Sequence, residues 1–397
     1  MKKTLLIIAA LFMMASCDCG TNNNAGKTNE TNETNETIQT NENKTFAELG
    51  TDSVRNGEIY LVTPEGAVTS TGTQWLGAFK KGSENKLVIY FYGGGVSVNE
   101  YSAARGFSKH ADECFYFDDM ELWKQVAYSC FKAGFGSDLD SNPFKDWSVI
   151  ILPYTTGDFH IGTGEFEYTD LEGNQKILYH HGYTNFKLYM DRVMPYLGTP
   201  ETVVVSGSSA GGFGTAFLSE DITEIFPETK NFVSCVDASL LYWDQFPEVC
   251  RNVWKAPEHI ANRFVSDNPV MDCLTTLHND KPYVKILFTC SLRDDALVSG
   301  NNFFEKGAKT SGTKEEGEIF QQRLFTFVKD LIAVDKNAGV FIWDDMISND
   351  DSKLTVHTIE TGENFLTDRG GNGSVAKWIN DAVNGNVRVV GLECFNK

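Results

Sequence analysis

Basic residues are scarce in this sequence. Only 34 Lys and Arg stand against 54 Asp and Glu in 397 residues, a formal net charge of −20. A surface that acidic repels phosphate backbones, which argues against a nucleic-acid partner. No apolar run is long enough to cross a bilayer comfortably; the one near the start stops after Ala15. No cysteine pair has the spacing of a zinc ligand set, so no structural metal is expected. There is no Gly-x-Gly-x-x-Gly, and no Gly-Lys-Ser/Thr follows a glycine-rich turn, so neither a dinucleotide nor a P-loop phosphate site is indicated. What remains is a globular balance, 41% hydrophobic and 22% charged, with ample apolar material for a core.

The first residues read as an address. Lys2 and Lys3 precede an apolar run from Leu5 to Ala15, and small residues follow. That is the layout of an export signal, residues 1–16. Met14-Ala15-Ser16-Cys17 is similar to a bacterial lipoprotein cleavage box, which implies a diacylglyceryl group on Cys17 and attachment to the cell envelope. Residues 17–44, with Thr-Asn-Glu repeated from Thr28 to Glu36, have too little apolar surface to fold and read as a tether reaching about 30 Å. Residues 45–397 hold no long linker and read as a single domain. Export permits disulfides, but the apolar settings of Cys235 and Cys290 mark them as buried thiols.

Short, nearly continuous β-rich runs occur at Leu87–Phe91, Ser148–Leu152, Thr202–Val205, Phe232–Val236, Val284–Thr289 and, more weakly, Val340–Trp343. Runs apolar on both alternations belong to parallel strands covered on two faces. Helical spacing separates them: Phe186, Met190, Val193 and Leu197 end at Gly198, and Ile319, Phe320, Leu324, Phe327, Val328 and Leu331 follow a capping-box pair, Thr313 and Glu316. The alternation predicts an α/β fold with a mostly parallel sheet. Turns near residues 70–82 indicate an antiparallel start. The long segments 96–147 and 238–283 are expected to build a lid or a substrate wall.

The chemistry centres on Val203-Val204-Val205-Ser206-Gly207-Ser208-Ser209-Ala210-Gly211-Gly212. A β-branched strand runs into Gly207-x-Ser209-x-Gly211 and a helix can start directly after it. This is the setting of a nucleophile elbow, which presents a serine hydroxyl above the sheet. The strand at Leu87–Phe91 runs into Tyr92-Gly93-Gly94-Gly95, whose bare amides suit an oxyanion hole. Gly94 and Gly95 are assigned to it, with Ala210 as partner donor. On this fold the acid and then the histidine follow the serine. His259, His278 and His357 come after Ser209, and Asp237 and Asp294 both follow apolar strands. Asp294 and His357 fit the order best; Asp295 and Asp237 stay in competition for the acid. No cofactor is needed for such a triad. Asp158, His160 and His181 either line the pocket or serve as structural hydrogen-bonders. Trp75, Trp123 and Trp243 suit core packing better than sugar stacking.

These residues resemble the pectin acetylesterase and Notum carboxylesterase family. The likeness rests on Phe91-Tyr92-Gly93-Gly94-Gly95, Pro153-Tyr154-Thr155-Thr156-Gly157-Asp158-Phe159-His160, His181-Gly182-Tyr183-Thr184-Asn185, the elbow itself, and Leu292-Arg293-Asp294-Asp295-Ala296. It implies an α/β-hydrolase fold, with helices on both faces of the sheet, and a Ser–Asp–His triad matching Ser209, Asp294 and His357. It further implies a serine carboxylesterase that removes a short O-acyl group, O-acetyl above all, from a glycan or small molecule, or, in the Notum branch, a longer acyl from a protein. Plant members carry Trp and Cys after the glycines and a Cys where Thr155 stands; Gly95, Val96, Ser97 and Thr155 here point away from pectin, as does the acidic charge. The rival expectations are a polyester or lipid esterase on the same fold, and a non-catalytic glycan-binding surface lipoprotein. A monomer is expected, with membrane contact only through Cys17.

Overall fold

The computed structural model describes residues 46–50, 53–124, 131–307 and 309–396. The expected signal segment, Cys17 and the tether lie outside them. Ten strands make one sheet: β1 (Ala47–Glu48), β2 (Ile59–Val62), β3 (Gly77–Lys80), β4 (Lys86–Phe91), β5 (Ser148–Leu152), β8 (Thr202–Ser208), β9 (Asn231–Asp237), β10 (Lys285–Ser291), β11 (Gly339–Trp343) and β14 (Val389–Val390). The other four form two small hairpin-like pairs, β6 (Gly164–Thr169) with β7 (Gln175–His180) and β12 (Ile347–Asn349) with β13 (Leu354–Thr355).

Across the sheet the order is β1-β2-β3-β5-β4-β8-β9-β10-β11-β14. From β5 to β14 all neighbours are parallel; only β3, paired with β2 and β5, runs antiparallel. Helices cover both faces, the α/β-hydrolase arrangement. They include α1 (Gly182–Leu197), α2 (Ala210–Ile225), α3 (Pro269–Asp280), α4 (Asp295–Lys306), α5 (Lys314–Val334) and α6 (Val375–Val383).

The reason for this sheet is visible in its side chains. Val203, Val204 and Val205 of β8 are fully buried, as are Leu87, Val88 and Ile89 of β4 and Phe232 and Val233 of β9. Burying each contributes about 1.5–3 kcal/mol, which favours strands whose two faces are both covered. The expected strands all form, most of them one to three residues longer than their apolar runs. Cys235 and Cys290 are fully buried thiols in β9 and β10, and Cys250 and Cys273 are also buried and unpaired.

The chain leaves β4 for β5 on one side, then returns to place β8 on the other side of β4. That reversal opens a crevice at the carboxyl ends of β4 and β8, where ligands bind in open α/β sheets. The same ends carry the Gly93–Gly95 turn and Ser209.

Helix α5 starts as its spacing requires. The Thr313 hydroxyl accepts from Glu316 N (3.2 Å) and the Glu316 carboxylate accepts from Thr313 N (2.8 Å). Thr313→Ala removes half of that reciprocal pair. It should lower stability by about 1 kcal/mol, read as a lower denaturant midpoint at unchanged slope; an unchanged midpoint would show that the cap is idle.

Candidate active site

Ser209 stands at the junction of β8 and α2 with φ 56° and ψ −127°. A positive φ is uncommon for serine and costs on the order of 1–3 kcal/mol. The surroundings hold it there. Ser209 N donates to the Asp237 carbonyl (2.9 Å), and Ser209 O accepts from Gly212 N (2.9 Å) and Ser239 Oγ (2.7 Å). Helix α2 then leaves so close to β4 that a Cβ on Gly211 would lie 1.9 Å from the Phe91 carbonyl oxygen. Only glycine fits, so the second glycine of the motif is a packing requirement.

The turn after β4 packs against this elbow. A Cβ on Gly93 would meet Ser208 O at 2.5 Å and Ser209 Cβ at 2.7 Å. Gly93, Gly94, Gly95 and Ser209 are all partly exposed. Among the described residues no group accepts from the amides of Gly94, Gly95 or Ala210.

The turn is braced from behind by the loop after β5. His160 Nε2 donates to the Tyr92 carbonyl (2.8 Å), which fixes the neutral Nε2–H tautomer. Burial pushes His160 down to about 4, so the ring stays neutral at working pH. Asp158 organises that loop. Its Oδ1 accepts from Thr156 Oγ1 (2.6 Å) and His160 N (3.1 Å), and its Oδ2 from Gly162 N (3.2 Å) and Gly182 N (2.7 Å). Burial pushes Asp158 up to about 6 against these bonds. Both side chains are buried, and these hydrogen bonds tie them to the loop and to the Gly93 turn. His181 sits half-buried at the start of α1, its Nδ1 without a hydrogen bond and its ring against Tyr179.

His357 lies beyond β13, and its partner is settled by local zippering. Thr355 N donates to Arg293 O (3.0 Å), Arg293 N donates to Thr355 Oγ1 (2.9 Å), and Thr355 Oγ1 donates to Ser291 Oγ (2.8 Å). Two residues on, His357 Nδ1 reaches both oxygens of Asp294, at 2.8 and 2.7 Å. Asp294 is fully buried and caps α4, its Oδ1 accepting from Leu297 N (2.9 Å). Burial alone would push His357 down, but the Asp294 charge and hydrogen bond, with Asp295 and Asp237 behind, hold it above the ordinary imidazole value. Of the three competing acids, Asp294 is the one bonded to the imidazole. Asp295 faces it without that bond, and burial raises it to about 6. Among the described residues no hydrogen bond joins Ser209 Oγ to His357 Nε2; the bonded pair is His357 with Asp294.

The remaining histidines of the C-terminal half stand apart, His259 on Asp221 and His278 beside Asp335. Trp75 and Trp123 are core residues whose indoles donate to the carbonyls of Pro153 and Tyr154; Trp243 is half-buried against Phe246 and Phe304. Sequence reasoning missed Glu360, 1% exposed, which accepts from Ser206 Oγ (2.6 Å) and Cys235 Sγ (3.2 Å). The available signal was the serines at 206 and 208 inside an otherwise apolar strand.

A family model described as Pectinacetylesterase matches residues 62–281. The chain belongs to the pectinacetylesterase family. It is thereby a carboxylic ester hydrolase. The matched segment holds the Gly93 turn and Ser209, while Asp294 and His357 lie beyond it. Among solved structures, two crystal forms of the Wnt deacylase Notum from Drosophila are similar to the chain. One aligns with TM-score 0.55 and 13% identity, the other with 0.52 and 11%; each covers 84% of this chain and 95% of Notum. At such identities the likeness is one of fold. No curated protein matches.

His160→Phe should fill the same space and remove the Nε2–H donor from the Tyr92 carbonyl, costing about 1–3 kcal/mol. The native imidazole resists protonation down to about 4, whereas an unfolded one titrates near 6.5. Wild type alone therefore loses stability from this group as pH falls through that window. The deficit of the variant should shrink between pH 6.5 and 4 in chemical denaturation; a deficit constant with pH would contradict the buried neutral tautomer.

Proposed function

We propose that this pectinacetylesterase-family chain is a serine esterase that removes an O-acyl group, O-acetyl above all, from a glycan, with Ser209 as nucleophile, His357 as base and Asp294 as the acid behind it. The observation that carries the reading is the elbow: a serine held at positive φ on a strand–helix junction, backed by a turn whose Gly94 and Gly95 amides have no partner among the described residues. His357 donates from Nδ1, so its Nε2 carries the lone pair that a base needs. It takes the Ser209 proton as Oγ attacks the ester carbonyl. The Gly94, Gly95 and Ala210 amides hold the oxyanion, and the alcohol leaves with the proton from His357. Water, activated by the same imidazole, then releases the acid and restores Ser209. We further propose export and envelope attachment through Cys17.

Residues 45–397 should release p-nitrophenol from p-nitrophenyl acetate, and Ser209→Ala should abolish it; wild-type turnover by that variant would refute the assignment. Asp294→Asn should lower kcat by about 10⁴-fold through the wrong tautomer. Screening acetylated xylan, pectin and peptidoglycan for acetate release would identify the glycan, and a series of longer acyl esters would expose a lipid or polyester substrate instead.

The acid limb of kcat/KM should have its midpoint above 6.5, because His357 is raised and only its neutral form acts as base. A midpoint below 6 would show that the carboxylates around it do not set its charge.

A further inference from the structure

Asp237 lies where the two halves of the site meet. Its carbonyl oxygen accepts from Ser209 N (2.9 Å). Its side-chain Oδ2 accepts from Ser208 Oγ (2.7 Å), Ile359 N (3.0 Å) and Glu360 N (3.1 Å). One residue thus bonds the elbow and the two residues that follow His357-Thr358. Tyr90 of β4 extends the chain of bonds: its hydroxyl lies 2.7 Å from Ser208 Oγ. Ser208 gives its only proton to Asp237, so Tyr90 donates to Ser208.

Backbone conformation marks the same place. Ser209, Ala238 and Thr358 have φ of 56°, 50° and 62°. A positive φ is least tolerated by a β-branched residue such as Thr358. Such conformations persist only where the surroundings over-determine them. Each of the three is, or directly adjoins, a residue in the Asp237 bonds.

We propose that Asp237 is a positioning residue whose Oδ2 sets the register between the Ser209 elbow and the His357 loop. The proposal rests on the reading of Ser209 and His357 as nucleophile and base. Asp237 is not the acid on the imidazole, since Asp294 takes that bond. Three donors converge on one oxygen, while Oδ1 is buried and accepts nothing among the described residues. An acceptor at that point is what the loops require, and an asparagine carbonyl supplies one. The charge has a separate effect. His357 is faced by Asp294 and Asp295 from the cap and start of α4, and by Asp237 from β9, with Glu360 and Tyr90 beside Asp237. Neutralising Asp237 removes support for the imidazolium, so the acid limb of activity moves to lower pH.

The test compares Asp237→Ala, Asp237→Asn, Ser208→Ala and Ser209→Ala with wild type on p-nitrophenyl acetate, with melting temperature, kcat, KM, pH profile and the rate of fluorophosphonate labelling. Asp237→Ala should lower kcat and labelling by about 100-fold with KM within about three-fold, the size of effect expected from misplacing reacting groups by an ångström. Asp237→Asn should restore kcat to within about ten-fold of wild type, with its acid limb at lower pH. A folded Asp237→Ala with wild-type kcat overturns the proposal, and so does an Asp237→Asn as impaired as the alanine variant. If Asp237→Ala does not fold, Ser208→Ala decides: a kcat lowered several-fold at unchanged KM supports the register role, and wild-type kcat overturns it. Ser209→Ala separates this from the underlying reading. Activity there refutes the nucleophile itself, whereas an inactive Ser209→Ala beside a fully active Asp237→Ala refutes only the role of Asp237.

Discussion

The closeness of α2 to β4 governs this molecule. The first turn of the helix is pressed onto the Phe91 carbonyl, and the chain enters that turn from β8 through Ser209 at positive φ. The strain is not isolated. Phe159, His160, Ala238 and Thr358 share the sign of φ, and all lie in loops at the same end of the sheet. At on the order of 1–3 kcal/mol each, such conformations require a framework that does not yield. The fully buried aliphatic strands β4, β8 and β9 provide it, and hydrogen bonds to Asp158 and Asp237 transmit its rigidity to the loops.

Beneath the loops lies a polar layer that an apolar sheet would not need for stability. Tyr90, Ser206, Ser208, Asp237 and Glu360 are all buried. Burial raises Asp237 to about 6 and Glu360 well above its ordinary range, the Asp237 charge adding to the rise of Glu360. Unpaired polar groups are costly in a medium of low polarity, so the bonds of Ser206, Ser208 and Glu360 and those on Asp237 Oδ2 confine these groups to one arrangement, although Asp237 Oδ1 accepts nothing among the described residues. His357 borders the layer, and the sign of its shift follows: desolvation disfavours the imidazolium, and neighbouring carboxylates outweigh it.

Much of the fold was legible because its strands are apolar on both faces. Val203–Val205 or Leu87–Ile89 can be little else. The elbow was legible for a related reason, since a strand, a small-residue turn and a helix start follow one another without a gap. The choice of acid was legible only as a preference for Asp294. Asp237 ends β9 while Asp294 and Asp295 come just after β10, and what separates them is the pairing of Thr355 with Arg293, a contact between segments far apart in the chain. The β6–β7 hairpin also escaped notice. Glu165-Phe166-Glu167-Tyr168 alternates, but much of the pair is exposed, and no run of buried residues announces it. Asp158 and His160 could be read as pocket or scaffold until their partners were seen: four donors on one acid, and a carbonyl on one imidazole.

The thiols in the middle of the sheet carry a consequence of their own. Cys235 and Cys290 have no exposed surface, and burial keeps both protonated far beyond neutral pH. A sulfhydryl in that state is a poor nucleophile and out of reach of any alkylating reagent. Modification must wait until β9 and β10 part. These two side chains are thus a clock wired into the centre of the molecule, silent while the sheet is closed and sounding only when it opens.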